Sequence, residues 1–108
     1  MKSVLTVISH PVGDQRDDEF RRWYQFIHIP QVRDTVPAIT AAELYCVVEP
    51  GQPDDGGRSY LCVYRIDGPV AAAARAMNDG AAAGDIELSD LLDVAVQPPQ
   101  MVWAEEIL

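Results

Sequence analysis

The strand-forming segments of this chain are apolar on both faces, and that limits the folds open to it. In residues 3–9, Val4 and Ile8 point to one side and Leu5 and Val7 to the other. In residues 59–66, Tyr60, Cys62, Tyr64 and Ile66 oppose Leu61 and Val63. A sheet with one face in water would alternate apolar with polar residues. Both faces of this one call for cover. Helices can cover one face, and the chain has no spare segment for the other. A second copy of the same sheet is the simplest cover, so a homodimer with sheets face to face is expected. The competing reading is β-propensity without burial.

The segments between the strands fill in the order. His10 to Gly13 reads as a turn after the first strand. Asp14 can cap the next helix, and Asp17, Asp18 and Glu19 crowd its first turn, where the helix dipole favours negative charge. That helix runs to about His28, because Pro30 disfavours helical geometry at Ile29. Strands at 38–48 and 59–66 flank an exposed loop containing Asp54-Asp55-Gly56-Gly57. Pro69 suits the first position of an alanine-rich helix over 70–78, which Gly80 ends. Residues 84–96 carry a short helical stretch built on Ile86, Leu88, Leu91 and Leu92. Pro98-Pro99 then breaks the chain before a last strand at 100–108. The order β-α-β-β-α-β predicts an α+β, ferredoxin-like plait: one four-stranded antiparallel sheet, helices on one face, dimerisation through the other. At 108 residues the chain is one domain over 1–108.

Charge and missing motifs remove whole classes of function. A net charge of −9 repels phosphate backbones and anionic lipid, so neither nucleic acid nor a membrane surface is expected as partner. No apolar run approaches the roughly 18 residues of a membrane span. The segment Met1 to Ser9 reads as a strand rather than a signal peptide, which makes the cytoplasm the default location. Cys46 and Cys62 are too few for a disulfide scaffold and are expected as free thiols, roughly opposite each other across two paired strands. There is no GxGxxG or phosphate loop and no nucleophile elbow. The histidines lack metal-ligand spacing, so no metal and no cofactor are expected.

The chemistry concentrates in Phe20-Arg21-Arg22-Trp23-Tyr24-Gln25-Phe26-Ile27-His28-Ile29-Pro30. On an α-helix Phe20, Tyr24 and Ile27 share a stripe, and Arg21, Tyr24 and His28 run along its flank with Asp17 one turn earlier. His28 can give or take a proton near neutral pH, or cap the last helical carbonyls and anchor the Pro30 loop. Tyr24 can donate to an enolate oxygen, or pack as a core aromatic. Trp23 fits a pocket wall, and Arg21 either holds an anion or pairs with Asp17. Ile27, His10 at the end of the first strand, and Tyr64 complete the expected substrate contacts.

Asp18-Glu19-Phe20, Trp23-Tyr24 and His28-Ile29-Pro30, set just after a strand, resemble the first-helix signature of EthD-like proteins in the dimeric α+β barrel superfamily. Val36-Pro37-Ala38-Ile39 stands where relatives often carry a Pro-Gly-Phe-like turn. The resemblance implies a homodimer with one cleft per protomer between sheet and helices. It covers cofactor-free isomerases, cyclases, small monooxygenases, haem-handling proteins and proteins without known activity. The expectation is a cofactor-independent enzyme moving protons on a small hydrophobic carbonyl, enol, phenol or lactone, by isomerisation, cyclisation or elimination. His28 would be its base or acid and Tyr24 its oxyanion donor. The alternatives are a non-catalytic ligand-binding module, a cofactor-free monooxygenase and a haem-handling protein.

Overall fold

The computed structural model describes residues 1–13, 16–51 and 58–108. The Asp14 cap and the Asp54–Gly57 turn lie outside the described residues. The chain runs β1 (Lys2–Ser9), α1 (Asp17–Trp23), a π-helical turn (Tyr24–His28), α2 (Ile29–Thr35), β2 (Ile39–Cys46), β3 (Tyr60–Asp67), α3 (Val70–Ala82) and β4 (Gln100–Glu105). All pairings are antiparallel, and the strands lie in the order β2-β3-β1-β4. This is the expected ferredoxin-like plait. Among the described residues no helix is long and apolar enough to cross a membrane.

The helices cover one face of the sheet. Leu5 pairs with Tyr64, Val7 with Cys62 and Ser9 with Tyr60. These six side chains alternate toward the helices and are buried with Phe20, Tyr24, Val32 and Val36. Across the other face run Val4, Thr6 and Ile8, then Leu61 and Val63, then Val102 at the β4 edge, 58% exposed. The β2 end of that face is polar, for Arg65 and Tyr45 both bond to Glu43. Cys62 pairs with Leu44 rather than Cys46, because the β2–β3 register sets Cys46 against Tyr60. The two thiols are free, Cys62 buried and Cys46 exposed.

Pro30 does not end the first helix. Helical structure continues to Thr35, and Ile29 is helical at φ −57°, ψ −47°. In an uninterrupted α-helix, the Pro30 ring would press on the carbonyl four residues back, at Phe26. The chain avoids this by widening one turn. The Ile29 N–H reaches back five residues to the Tyr24 carbonyl. A fresh α segment then starts with Pro30 in its first turn, where a missing N–H leaves nothing unsatisfied.

Gly80 does not end α3 either. It is buried inside the helix, and a Cβ there would overlap Thr35 Cγ2, so the glycine sets how closely α2 and α3 approach. The helix closes at Gly84, whose φ of +83° suits a residue without a Cβ. Residues 84–96 form no helix. Several N–H groups here and at Gln97 go to side chains: Glu87 to Gln31 Oε1, Leu91 to Ser89 Oγ, and Ala95, Val96 and Gln97 to the Asp93 carboxylate. Such bonds compete with helix formation. Leu91 and Leu92 are both buried, and Leu92 bridges to Pro11.

Candidate active site

The widened turn decides which side chains meet. In an α-helix, residues five apart point about 140° away from each other. In the π turn they come round almost one above the other, and the Trp23 and His28 rings stack with centroids 4.8 Å apart and planes 28° apart. Tyr24 meets the same imidazole edge-on at 4.9 Å. The turn also swings Ile27 outward, leaving it 47% exposed, so it does not share the buried stripe of Phe20 and Tyr24 as expected.

His28 is held neutral. Burial pushes its pKa down to about 4, and a backbone hydrogen bond with Glu87 opposes that shift. The Glu87 N–H already donates to Gln31, so the imidazole donates to the Glu87 carbonyl. His28 Nδ1 is buried without a hydrogen-bond partner. With the other ring nitrogen donating to Glu87, Nδ1 is left as an open lone pair.

Facing this helix, β3 supplies Cys62 and Tyr64, two residues apart and both buried. Burial raises the Tyr24 phenol far above its ordinary pKa, and Ser9 and Tyr64 partly offset this by hydrogen bonding. Tyr64 is raised further, first by burial and then by Tyr24 and Cys62 beside it. Cys62 rises to about 11 through burial. Tyr64 Oη interacts with both neighbours yet makes no well-formed hydrogen bond. At neutral pH this buried cluster therefore holds protonated donors and one neutral imidazole acceptor, with no net charge.

The structure thus brings together Trp23, Tyr24, His28 and Tyr64. Arg21 lies apart, exposed like Gln25, beside a cleft against β2 that the half-buried Ile29 also lines. Asp17 pairs with Arg58 at 3.0 Å instead of Arg21. His10 sits past the end of β1, where its carbonyl accepts the Asp93 N–H and its Nδ1 is buried without a partner. Ser9, Cys62 and Tyr60 were not among the expected site residues. The alternation of β3 already placed Tyr60 and Cys62 on the face of Tyr64. Among the described residues, no three potential metal ligands converge.

No protein-family model matches the sequence, and a search of curated proteins found no match. Solved structures do match over the whole chain. An EthD-like protein from Ralstonia eutropha JMP134 superposes with a TM-score of 0.69 at 16% identity, covering 100% of this chain and 95% of that one. A dimeric ferredoxin-like protein from an uncultured marine organism gives 0.63 at 8% identity, covering 99% and 96%. A monooxygenase from Streptomyces coelicolor, solved in complex with the ligand nanaomycin D, gives 0.55 at 16% identity, covering 98% and 90%. Identities this low speak to architecture and leave chemistry open. The chain has the fold of these EthD-like and dimeric ferredoxin-like proteins.

Proposed function

We propose that this chain is a small proton-transfer enzyme acting on a hydrophobic ring compound that carries a carbonyl, enol or phenol, with its own side chains as the catalytic groups. One observation carries the reading: His28 Nδ1 is buried, unpartnered and neutral, beside the protonated Tyr24, which in turn adjoins the protonated Tyr64. A lone pair near O–H donors suits a substrate whose proton leaves as negative charge builds on a neighbouring oxygen. His28 takes the proton. Tyr64, whose hydroxyl lacks a good partner, donates to the developing oxyanion, and Tyr24 supports it. Trp23 holds the imidazole plane by stacking.

The low pKa of His28 narrows the substrate. A base whose conjugate acid titrates near 4 removes only an already acidic proton. A phenol or a C–H between two carbonyls qualifies. The oxyanion so formed stabilises the new imidazolium by charge pairing in a low-dielectric pocket. Returning the proton elsewhere completes an isomerisation, and expelling a β leaving group that takes up the His28 proton completes an elimination; attack of the enolate carbon on a second carbonyl of the same molecule, with the His28 proton passing to the new alkoxide, completes a cyclisation.

The working unit in this reading is a homodimer. Val4, Ile8, Leu61, Val63 and Val102 give the open sheet face an apolar surface suited to a second copy. A solved protein of this fold is described as dimeric, which supports the same assembly.

The test is solvent-deuterium exchange into a panel of 1,3-dicarbonyl and phenolic compounds, followed by NMR. Wild-type protein should speed exchange at one compound class. His28→Ala should lose about 10²–10⁴-fold of that acceleration, and Tyr64→Phe about 10²-fold. Exchange that survives His28→Ala refutes the assignment. Binding without exchange points to a ligand-binding module, and substrate-dependent oxygen uptake points to a monooxygenase.

A further inference from the structure

His28 and Gln31 stand three residues apart on one helical run, a spacing that brings side chains to neighbouring positions on a helix surface. Both reach the same residue of the 84–96 segment, and both take its backbone. Gln31 Oε1 accepts the Glu87 N–H at 2.9 Å, and the His28 ring donates to the Glu87 carbonyl. Those two groups belong to the two peptide planes that meet at the Glu87 Cα, so the helix grips the segment on both sides of one residue. Glu87 lies in no helix or strand, so no ladder of hydrogen bonds fixes the direction of its carbonyl. A neutral imidazole carries its proton on one nitrogen, and only the other nitrogen is a base. The hydrogen bond at one nitrogen decides which it is. His28 Nδ1 has no partner, so the nitrogen that donates to Glu87 is Nε2.

We infer that Gln31 is a positioning residue for His28: by holding the Glu87 backbone it keeps the imidazole proton on Nε2 and the Nδ1 lone pair free to act as base. The inference rests on the proton-transfer role given to His28 above, but its statement about the tautomer can be tested without turnover. Without Gln31 the Glu87 N–H has to find another acceptor, and the peptide planes on either side of Glu87 are free to turn. Once the Glu87 carbonyl turns away, Nε2–H loses its acceptor and nothing favours it over Nδ1–H. The segment keeps its remaining ties. The Asp85 N–H donates to the Gly80 carbonyl at 2.8 Å, the Asp93 N–H donates to the His10 carbonyl at 2.9 Å, and Leu91 and Leu92 are buried. Losing the Gln31 acceptor therefore frees Glu87 and leaves the fold in place.

The test is long-range proton–nitrogen correlation NMR at neutral pH on the full chain carrying nitrogen-15 histidine, with His28→Gln identifying the His28 signals by their loss. Wild type should show His28 as the Nε2–H tautomer. Gln31→Leu removes the acceptor and should raise the ratio of Nδ1–H to Nε2–H by about fivefold, the worth of one ordinary hydrogen bond. Gln31→Glu keeps an oxygen within reach of the Glu87 N–H and should hold the wild-type tautomer. Glu87→Ala alters only an exposed side chain and should hold it too, because the grip is on the backbone. The inference is overturned by an Nδ1–H tautomer in wild type, by an unchanged ratio in Gln31→Leu, by a Gln31→Glu variant that behaves like Gln31→Leu, or by an equal shift in Glu87→Ala. The expected tautomer pattern in a wild type that speeds exchange into no compound upholds the link from Gln31 to His28 and sinks the proton-transfer reading instead.

Discussion

Acidification should unfold this protein partly through His28. The folded chain holds that imidazole at a pKa of about 4, against an ordinary 6.5. Between those values the unfolded chain binds a proton that the folded chain refuses, so stability falls as pH drops. Above 6.5 neither state is protonated and the contribution is complete. Below 4 both are protonated and the loss has levelled off. At about 1.4 kcal/mol per pH unit, the gap amounts to roughly 3 kcal/mol, of which about 2 is lost by pH 5. Urea unfolding at fixed protein concentration, at pH 8, 6.5 and 5, measures it. His28→Gln cannot titrate, so it carries the background from every other group. The stability difference between wild type and variant should shift against wild type by about 2 kcal/mol between pH 8 and 5. Parallel pH profiles, or an NMR titration of the His28 ring with a midpoint near 6.5, would refute the claim that burial holds this histidine neutral.

Three further perturbations test separate parts of the structure. Gly80→Ala forces a Cβ into Thr35 Cγ2 and should cost about 1–3 kcal/mol in equilibrium unfolding, with Thr35→Ser recovering much of the loss. Val63→Asp places a charge on the open sheet face; if that face is the proposed dimer interface, the wild type should sediment as a dimer and the variant as a monomer, because an unpaired buried charge there is strongly unfavourable. Pro30→Ala removes the need for the wide turn, so the helix should close to α geometry and part the Trp23–His28 stack. The readouts are Trp fluorescence and an upward move of the His28 titration toward 6.5.

The strands were legible because each is a short β-branched and aromatic run with turn residues on either side. Their two-sided apolarity was legible for the same reason, although the Glu43–Arg65 pair gives one corner of the open face a polar character that alternation did not reveal. The helix ends were misread wherever a residue had two uses. Gly80 reads as a stop from sequence and serves as a contact, since only tertiary structure shows Thr35 against it. Pro30 reads as a stop and serves as a first-turn residue, since the strain it creates is relieved upstream. Leu88 and Leu91 have helical spacing, but Ser89, Asp93 and Gln31 capture the N–H groups a helix there would need.

The site was readable only as far as α-helical periodicity holds. Tyr24 and His28, four apart, were expected together and are together. Trp23 and His28, five apart, meet only because Pro30 forces a wide turn. That turn also ejects Ile27, which α-helical spacing had placed in the buried stripe. One proline two residues past the histidine thus exchanges one neighbour in the buried cluster for another. It takes a small apolar contact away and lays an indole against the imidazole, which deepens the burial that keeps His28 neutral. The residue that reads as the end of the helix is the one that builds the environment of its histidine.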